Sequence, residues 1–194
     1  MAIINGHRII GTENMEKGKI IFLNGTSSSG KTTLSRRLLE KLPEQYHYLS
    51  VDTFMQMEPE WYLEQAFNHT IDYLSGRWIN TIVDYVILDT PIGKQLFSEC
   101  LDLLHDHPVL FVRVDCPLEE LERRERARSD RSPGQARFQY EHIHGHATYD
   151  LTINTHAMTL DACVDAILAI LARPEDWQAF RTLKSRWISG EEIG

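Results

Sequence analysis

Residues 25–32 read GTSSSGKT, and what surrounds them leaves few folds open. Before the loop, residues 19–24 (KIIFLN) form a short apolar run rich in β-branched side chains. After it, TTLSRRLLEKL (32–42) sets Leu34, Leu38, Leu39 and Leu42 at helical spacing. A strand that passes through a glycine-bounded loop into a helix is the setting of a Walker A phosphate loop. Its glycines permit turns closed to other residues, so consecutive backbone N–H groups converge on an anion. The start of the helix adds partial positive charge at the same place. Gly25, Thr26, Ser27, Ser28, Ser29, Gly30, Lys31 and Thr32, with Thr33 following, are therefore the expected nucleotide-binding residues. Lys31 has the reach to meet the β- and γ-phosphates, and the Thr32 hydroxyl is a Mg2+ ligand.

The βα pattern continues along the chain. YHYLSVD (46–52) reads as a second strand ending in an acid, VDYVILD (83–89) as a buried third, VLFVRVD (109–115) as a fourth and YDLTINT (149–155) as a fifth. Helical spacing covers 94–104, the charged run LEELERRERARSDR (118–131) and LDACVDAILAILA (160–172). Strands alternating with helices predict an α/β protein, a P-loop NTPase three-layer α/β/α fold with a mainly parallel five-stranded sheet. Ligands in such sheets collect beyond the carboxyl ends of the strands. One domain is expected over 1–194, with a core over 19–173 and a helical extension over 174–194. That tail places Trp177, Phe180, Leu183 and Trp187 on one side, and packing on the body is favoured over packing on a second copy; a homo-oligomer stays open as a partner.

Composition narrows the setting. A net charge of −8 disfavours a nucleic-acid partner, which needs a broad basic surface. No apolar stretch approaches a membrane span, and the N-terminus lacks the apolar core of a signal peptide. Cys100, Cys116 and Cys163 are odd in number and far apart, which suits core residues of a cytoplasmic protein.

Several side chains stand out as chemistry. Asp89 closes the VILD run, where an acid beside a Walker A loop holds Mg2+; its other reading is a turn acid before Pro91, and the metal role is favoured. Asp52 ends the second strand and is either a base for an attacking hydroxyl or the N-cap of the next helix. Arg124, Arg128 and Arg131 share roughly one face of a helix that Ser132-Pro133-Gly134 interrupts. Such an arginine segment closes over a nucleotide and offsets charge on a migrating phosphoryl group, or is a solvated face paired with Glu120, Glu122 and Glu125. His142, His144 and His146 alternate, and with no cysteine or acidic set to complete a metal site they read as hydrogen-bonded histidines. Trp61, Tyr62, Phe67, Tyr73 and Trp78 suit the core singly and the wall of an acceptor pocket as a group.

Three stretches together resemble the chloramphenicol phosphotransferase-like family of P-loop kinases over about residues 19–171. They are GTSSSGKTTL, VDTFMQMEP (51–59) and CPLEELERRERARSDRSPGQARFQ (116–139), the last followed by a histidine and YDLTINT. The resemblance implies an ATP- and Mg2+-dependent O-phosphotransferase acting on a small-molecule hydroxyl acceptor, chloramphenicol or a related antibiotic among the candidates. It implies Lys31 and Thr32 for ATP and Mg2+, Asp52 as catalytic base, Arg128 and Arg131 on the phosphates, and Arg124 stacked on adenine. The chain departs from the family at LDTPIG and at Asn154, where further acids are common. A kinase of another metabolite, nucleotide or nucleotide-sugar, and a nucleotide sensor with no acceptor, are the alternatives.

Overall fold

The structure is a computed structural model that describes residues 2–4, 7–9, 17–57, 61–128, 134–145 and 148–189. Strands β1 (Ala2–Ile4) and β2 (His7–Ile9) form an antiparallel pair at the N-terminus, which the sequence pattern did not suggest. The following strands are β3 (Ile20–Asn24), β4 (His47–Ser50), β5 (Thr81–Tyr85), β6 (Val109–Asp115) and β7 (Leu151–Asn154). They make one sheet in the order β4-β5-β3-β6-β7, with every neighbouring pair parallel.

Parallel strands need helical crossovers, and these cover both faces of the sheet. The helices are α1 (Lys31–Lys41), α2 (Val51–Met55), α3 (Trp61–Ser75), α4 (Pro91–Leu104), α5 (Leu118–Arg126), α6 (Gln135–Glu141), α7 (Leu160–Leu171) and α8 (Ala179–Ser189). The strand period of two sorts the core. Ile20, Phe22, Val83, Tyr85, Val109 and Phe111 face one way, against Phe67, Phe97, Leu101 and Phe180 of α3, α4 and α8. Ile21, Leu23, Ile82, Leu110 and Val112 face the other, against Leu34, Leu38, Val164 and Ile167 of α1 and α7.

Local chemistry sets several boundaries. Thr90 caps α4 by accepting from the Gly93 N–H at 3.1 Å, with Pro91 in the first turn where its missing N–H costs nothing. Thr159 caps α7 in the same way from Ala162. Strand β4 ends at Ser50, so Asp52 falls inside the first turn of α2 rather than on a strand end. Strand β5 ends at Tyr85, so Asp89 lies in the loop before α4 and not at a strand terminus. The charged helix stops at Arg126, short of the expected end at 131.

The tail is built into the body. Phe180 packs among Phe22, Phe97 and Phe111, with ring centroids 4.9–6.2 Å away. Trp177 lies in the opposite core and donates its Nε1–H to the Ile170 carbonyl at 2.9 Å. Asp150 ties the two regions: one oxygen accepts from Phe111 N on β6, the other from Gln178 N and Ala179 N at the start of α8. The aromatic residues of 61–78 divide by side. Phe67 is fully buried, whereas Tyr62, Tyr73 and Trp78 are exposed on the outer surface.

Phe180→Ala removes a fully packed ring and is expected to cost about 3–5 kcal/mol, read from urea unfolding. Ile188→Ala, at a side chain 73 % exposed on the same helix, is expected to change stability by less than about 0.5 kcal/mol.

Candidate active site

The carboxyl ends of β3 and β5 lie side by side, with Leu23 level with Asp84 and Asn24 with Tyr85. The chain leaves β3 through the loop of residues 25–30 into α1. Gly25 allows a close approach, since a Cβ there would meet the Val114 carbonyl oxygen at 2.4 Å. Gly30 turns the chain with φ of 98°, a left-handed value that a side chain resists, and opens α1. Asn24 anchors the entry: its Oδ1 accepts from Ile87 N at 2.9 Å and its Nδ2 donates to the Tyr149 hydroxyl at 2.8 Å.

Lys31 is 5 % exposed and folds back along the loop. Its ammonium donates to the carbonyls of Gly25 at 2.6 Å and Thr26 at 2.9 Å, with Asp84 Oδ1 at 3.5 Å. The Thr32 hydroxyl donates to Asp84 Oδ2 at 3.0 Å. The Tyr48 hydroxyl from β4 also donates to that oxygen, at 2.8 Å. Burial and the neighbouring Asp84 charge hold the Tyr48 pKa above its ordinary value, so Tyr48 stays a donor.

The carboxylate that the structure sets beside the phosphate loop is Asp84, whereas Asp89, the metal candidate of the sequence, is engaged elsewhere. Asp89 pairs with Lys94 at 2.8 Å, and its N–H donates to the His142 carbonyl at 2.6 Å. The run VDYVILD is not one strand: β5 ends at Tyr85, which leaves Asp84 on the sheet and Asp89 beyond it. Of that run, residues 83–85 alone pair with β3, and Val86 onward is loop. An acid inside an apolar alternation, Ile82-Val83-Asp84-Tyr85, was the available signal.

A cavity of about 470 Å³ opens over the loop. Ser27, Ser28, Gly30, Lys31, Thr32 and Thr33 form its floor. Asp52, Asp84 and Gln139 add polar groups to its wall, while Met158, Leu160 and Cys163 add apolar ones. Arg124 and Arg128 also line it. Arg124 is held by Glu120 at 2.7 Å, by the Ser28 and Ser29 carbonyls at 3.3 and 3.4 Å, and by Thr155. Hydrogen bonds from Arg123 and Arg124 hold the Glu120 carboxyl down to about 2, so both arginines stay paired across the working pH range. Arg131 and His146 lie outside the described residues. The N-cap of α2 is Ser50, which removes the capping role considered for Asp52. The aromatic residues 62–78 do not line this cavity.

The site fits the groups its motif implies. The Ser27, Ser28 and Ser29 hydroxyls are buried without a hydrogen-bond partner among the described residues, a cost that polar oxygens of a bound phosphate chain offset. Thr32 and Asp84 are hard oxygen donors 3.0 Å apart, the chemistry that suits Mg2+. Among the described residues no three His, Cys, Asp or Glu side chains group to hold a metal. His142 and His144 are engaged elsewhere, His142 on the Phe138 carbonyl and stacked on that ring, His144 on the Tyr149 hydroxyl.

A parallel sheet in this order, with a glycine loop at its centre opening a helix, is the P-loop NTPase α/β/α fold. The chain belongs to the chloramphenicol phosphotransferase-like protein family, whose model matches residues 18–172. A Mycobacterium tuberculosis (strain H37Rv) protein named "Putative O-phosphotransferase Rv2636" is 24% identical, over 94% of this chain and 95% of its own. Among solved structures, the tunicamycin resistance protein of Deinococcus radiodurans aligns with a TM-score of 0.62 at 19% identity, over 80% of this chain and 96% of its own. The Mycobacterium tuberculosis APS kinase CysC, in complex with AMPPNP and APS, aligns at 0.61 and 18%, over 81% and 99%. A sugar kinase from Janibacter sp. HTCC2649 aligns at 0.60 and 17%, over 82% and 98%. These likenesses establish the fold, and with the family they make the chain a P-loop kinase or phosphotransferase.

Asp84→Asn is expected to raise the Mg2+ concentration needed for half-maximal ADP release at least about tenfold. Asp89→Asn is expected to leave it within about twofold in the same titration, because its carboxylate is spent on Lys94.

Proposed function

We propose that the protein is an ATP-dependent O-phosphotransferase that moves the γ-phosphoryl group to a hydroxyl of a small molecule, with chloramphenicol and related antibiotics among the acceptors. The observation that carries this reading is the convergence of Lys31, Thr32, Asp84 and Asp52 on one cavity over the phosphate loop. A sensor that only bound nucleotide would have no use for a second carboxylate facing that space.

In the proposed reaction Asp52 takes the proton from the acceptor hydroxyl. The acceptor oxygen forms a bond to the γ-phosphorus as the bond from phosphorus to the β-γ bridging oxygen breaks, and ADP leaves with that electron pair. Lys31 brings an ammonium to the floor of the cavity and offsets charge on the departing oxygens. Arg128 supplies a guanidinium at the cavity wall, and Arg124 braces the loop carbonyls and stands on the nucleotide side. Thr32 and Asp84 would hold Mg2+, which when bound screens the phosphate oxygens from one another. Positioning and electrostatics supply the rate, with no covalent intermediate on the enzyme.

Support for the acceptor class comes from the family and from the curated relative's name, and the family description points to chloramphenicol first. The protein is proposed to act in the cytoplasm, where ATP is available, without nucleic acid or membrane as partner. No helix among the described residues is long and apolar enough to cross a membrane.

Lys31→Ala is expected to lower turnover by about a hundredfold or more while the protein stays folded. Asp52→Asn is expected to keep ATP affinity within about threefold and to lose turnover by about 10²–10⁴. Both are measured after a phosphate-transfer screen of antibiotics, sugars and nucleosides read by mass spectrometry. ATP binding with no acceptor-stimulated ADP release across that panel would leave a sensor as the better reading.

A further inference from the structure

A single peptide unit of the phosphate loop is gripped from both ends. The Thr26 carbonyl accepts from Lys31 Nζ at 2.9 Å. The N–H of the same peptide, on Ser27, donates to Gln139 Oε1 at 2.6 Å. Gln139 belongs to α6, is 8 % exposed and lines the same cavity as Lys31 and Asp84. It is thus one peptide away from the ammonium that reads the terminal phosphates.

This bond fixes the orientation of the glutamine amide. A backbone N–H can only donate, so the atom facing it is the oxygen, and the Nε2 donors must face away from the loop peptide. Among the described residues no atom accepts from Nε2. The helix that carries it is held at both ends. Glu125, itself buried, accepts from Gly134 N at 2.9 Å and Ala136 N at 2.7 Å at the start of α6. At the other end the His142 carbonyl takes the Asp89 N–H, and Ile143 bridges to Leu88. A neutral donor pair is therefore mounted rigidly at the polar end of the cavity.

We infer that Gln139 reads the terminal phosphoryl group of the nucleotide: Oε1 holds the 26–27 peptide in its loop conformation, and Nε2 donates to an oxygen of the third phosphate. This rests on the phosphotransferase reading and adds to it a residue that distinguishes triphosphate from diphosphate. A neutral donor suits that place because Lys31 already supplies a full charge, and a second buried cation would have to be desolvated.

The test is isosteric. Gln139→Glu keeps an oxygen for the Ser27 N–H and turns the opposite donor into a negatively charged acceptor. Calorimetry with Mg·ADP and Mg·AMPPNP on the wild type and this variant reads the ratio of the two affinities. The expected result is Mg·ADP within about twofold and Mg·AMPPNP weakened at least about tenfold by like-charge contact. Gln139→Leu, which removes both functions, is expected to lower the ratio by about three- to tenfold even where it weakens both ligands. A wild-type ratio in both variants overturns the inference and leaves the kinase reading standing. A wild-type protein that binds neither nucleotide sinks the kinase reading, and this inference with it.

Discussion

A buried ammonium organises this molecule's chemistry. Lys31 is almost wholly out of solvent, and a charge in that position must be compensated by partners with good geometry. It finds two loop carbonyls and, at longer range, one carboxylate. The carbonyls exist only if the loop turns back over the helix start, which requires the left-handed Gly30 and the close approach of Gly25 to β6. The carboxylate exists only if β5 lies beside β3 in the observed register. Loop shape, strand pairing and the position of Asp84 are thus three aspects of one electrostatic constraint.

The sheet makes that constraint affordable by separating apolar work from polar work. Its two faces bury aromatic and aliphatic side chains under six helices, and the carboxyl edge is left to carry what cannot be buried unpaired. Asn24, Tyr149 and His144 form one hydrogen-bonded chain at that edge, Thr32, Asp84 and Tyr48 another, and Arg124 with Thr155 a third. Networks of this kind are stiff when every member is satisfied, and stiffness is what in-line transfer asks of a site. The C-terminal helix contributes at a distance, since Phe180 backs Phe111 on β6 and Asp150 accepts from both Phe111 N and Ala179 N.

Helix α6 joins parts of the chain that are remote in sequence. Gln139 reaches the phosphate loop, Glu125 of α5 holds its first turn, and Asp89 and Leu88 of the β5–α4 loop hold its end. Asp89 takes part here as a backbone donor to His142 and a partner for Lys94. An acid at the rim of a kinase site can serve architecture while its neighbour five residues earlier faces the loop.

The amino-acid sequence by itself determined the βα alternation, the phosphate loop and its lysine and threonine, because each of these depends on residues adjacent in the chain: glycines at a turn, a leucine stripe, a β-branched run. Strand β6 was legible at Val109–Asp115 for the same reason. Only the tertiary structure decided which carboxylate faces the loop, since Asp84 and Asp89 differ by the register of β5 against β3, a long-range pairing with no local signature. It alone decided that Tyr48 and Gln139 meet the site, each brought there from another strand or helix by packing. It also sent Phe67 into the core and left Tyr62 and Tyr73 outside, because α3 turns them to different sides, while Trp78 is exposed in the turn beyond that helix.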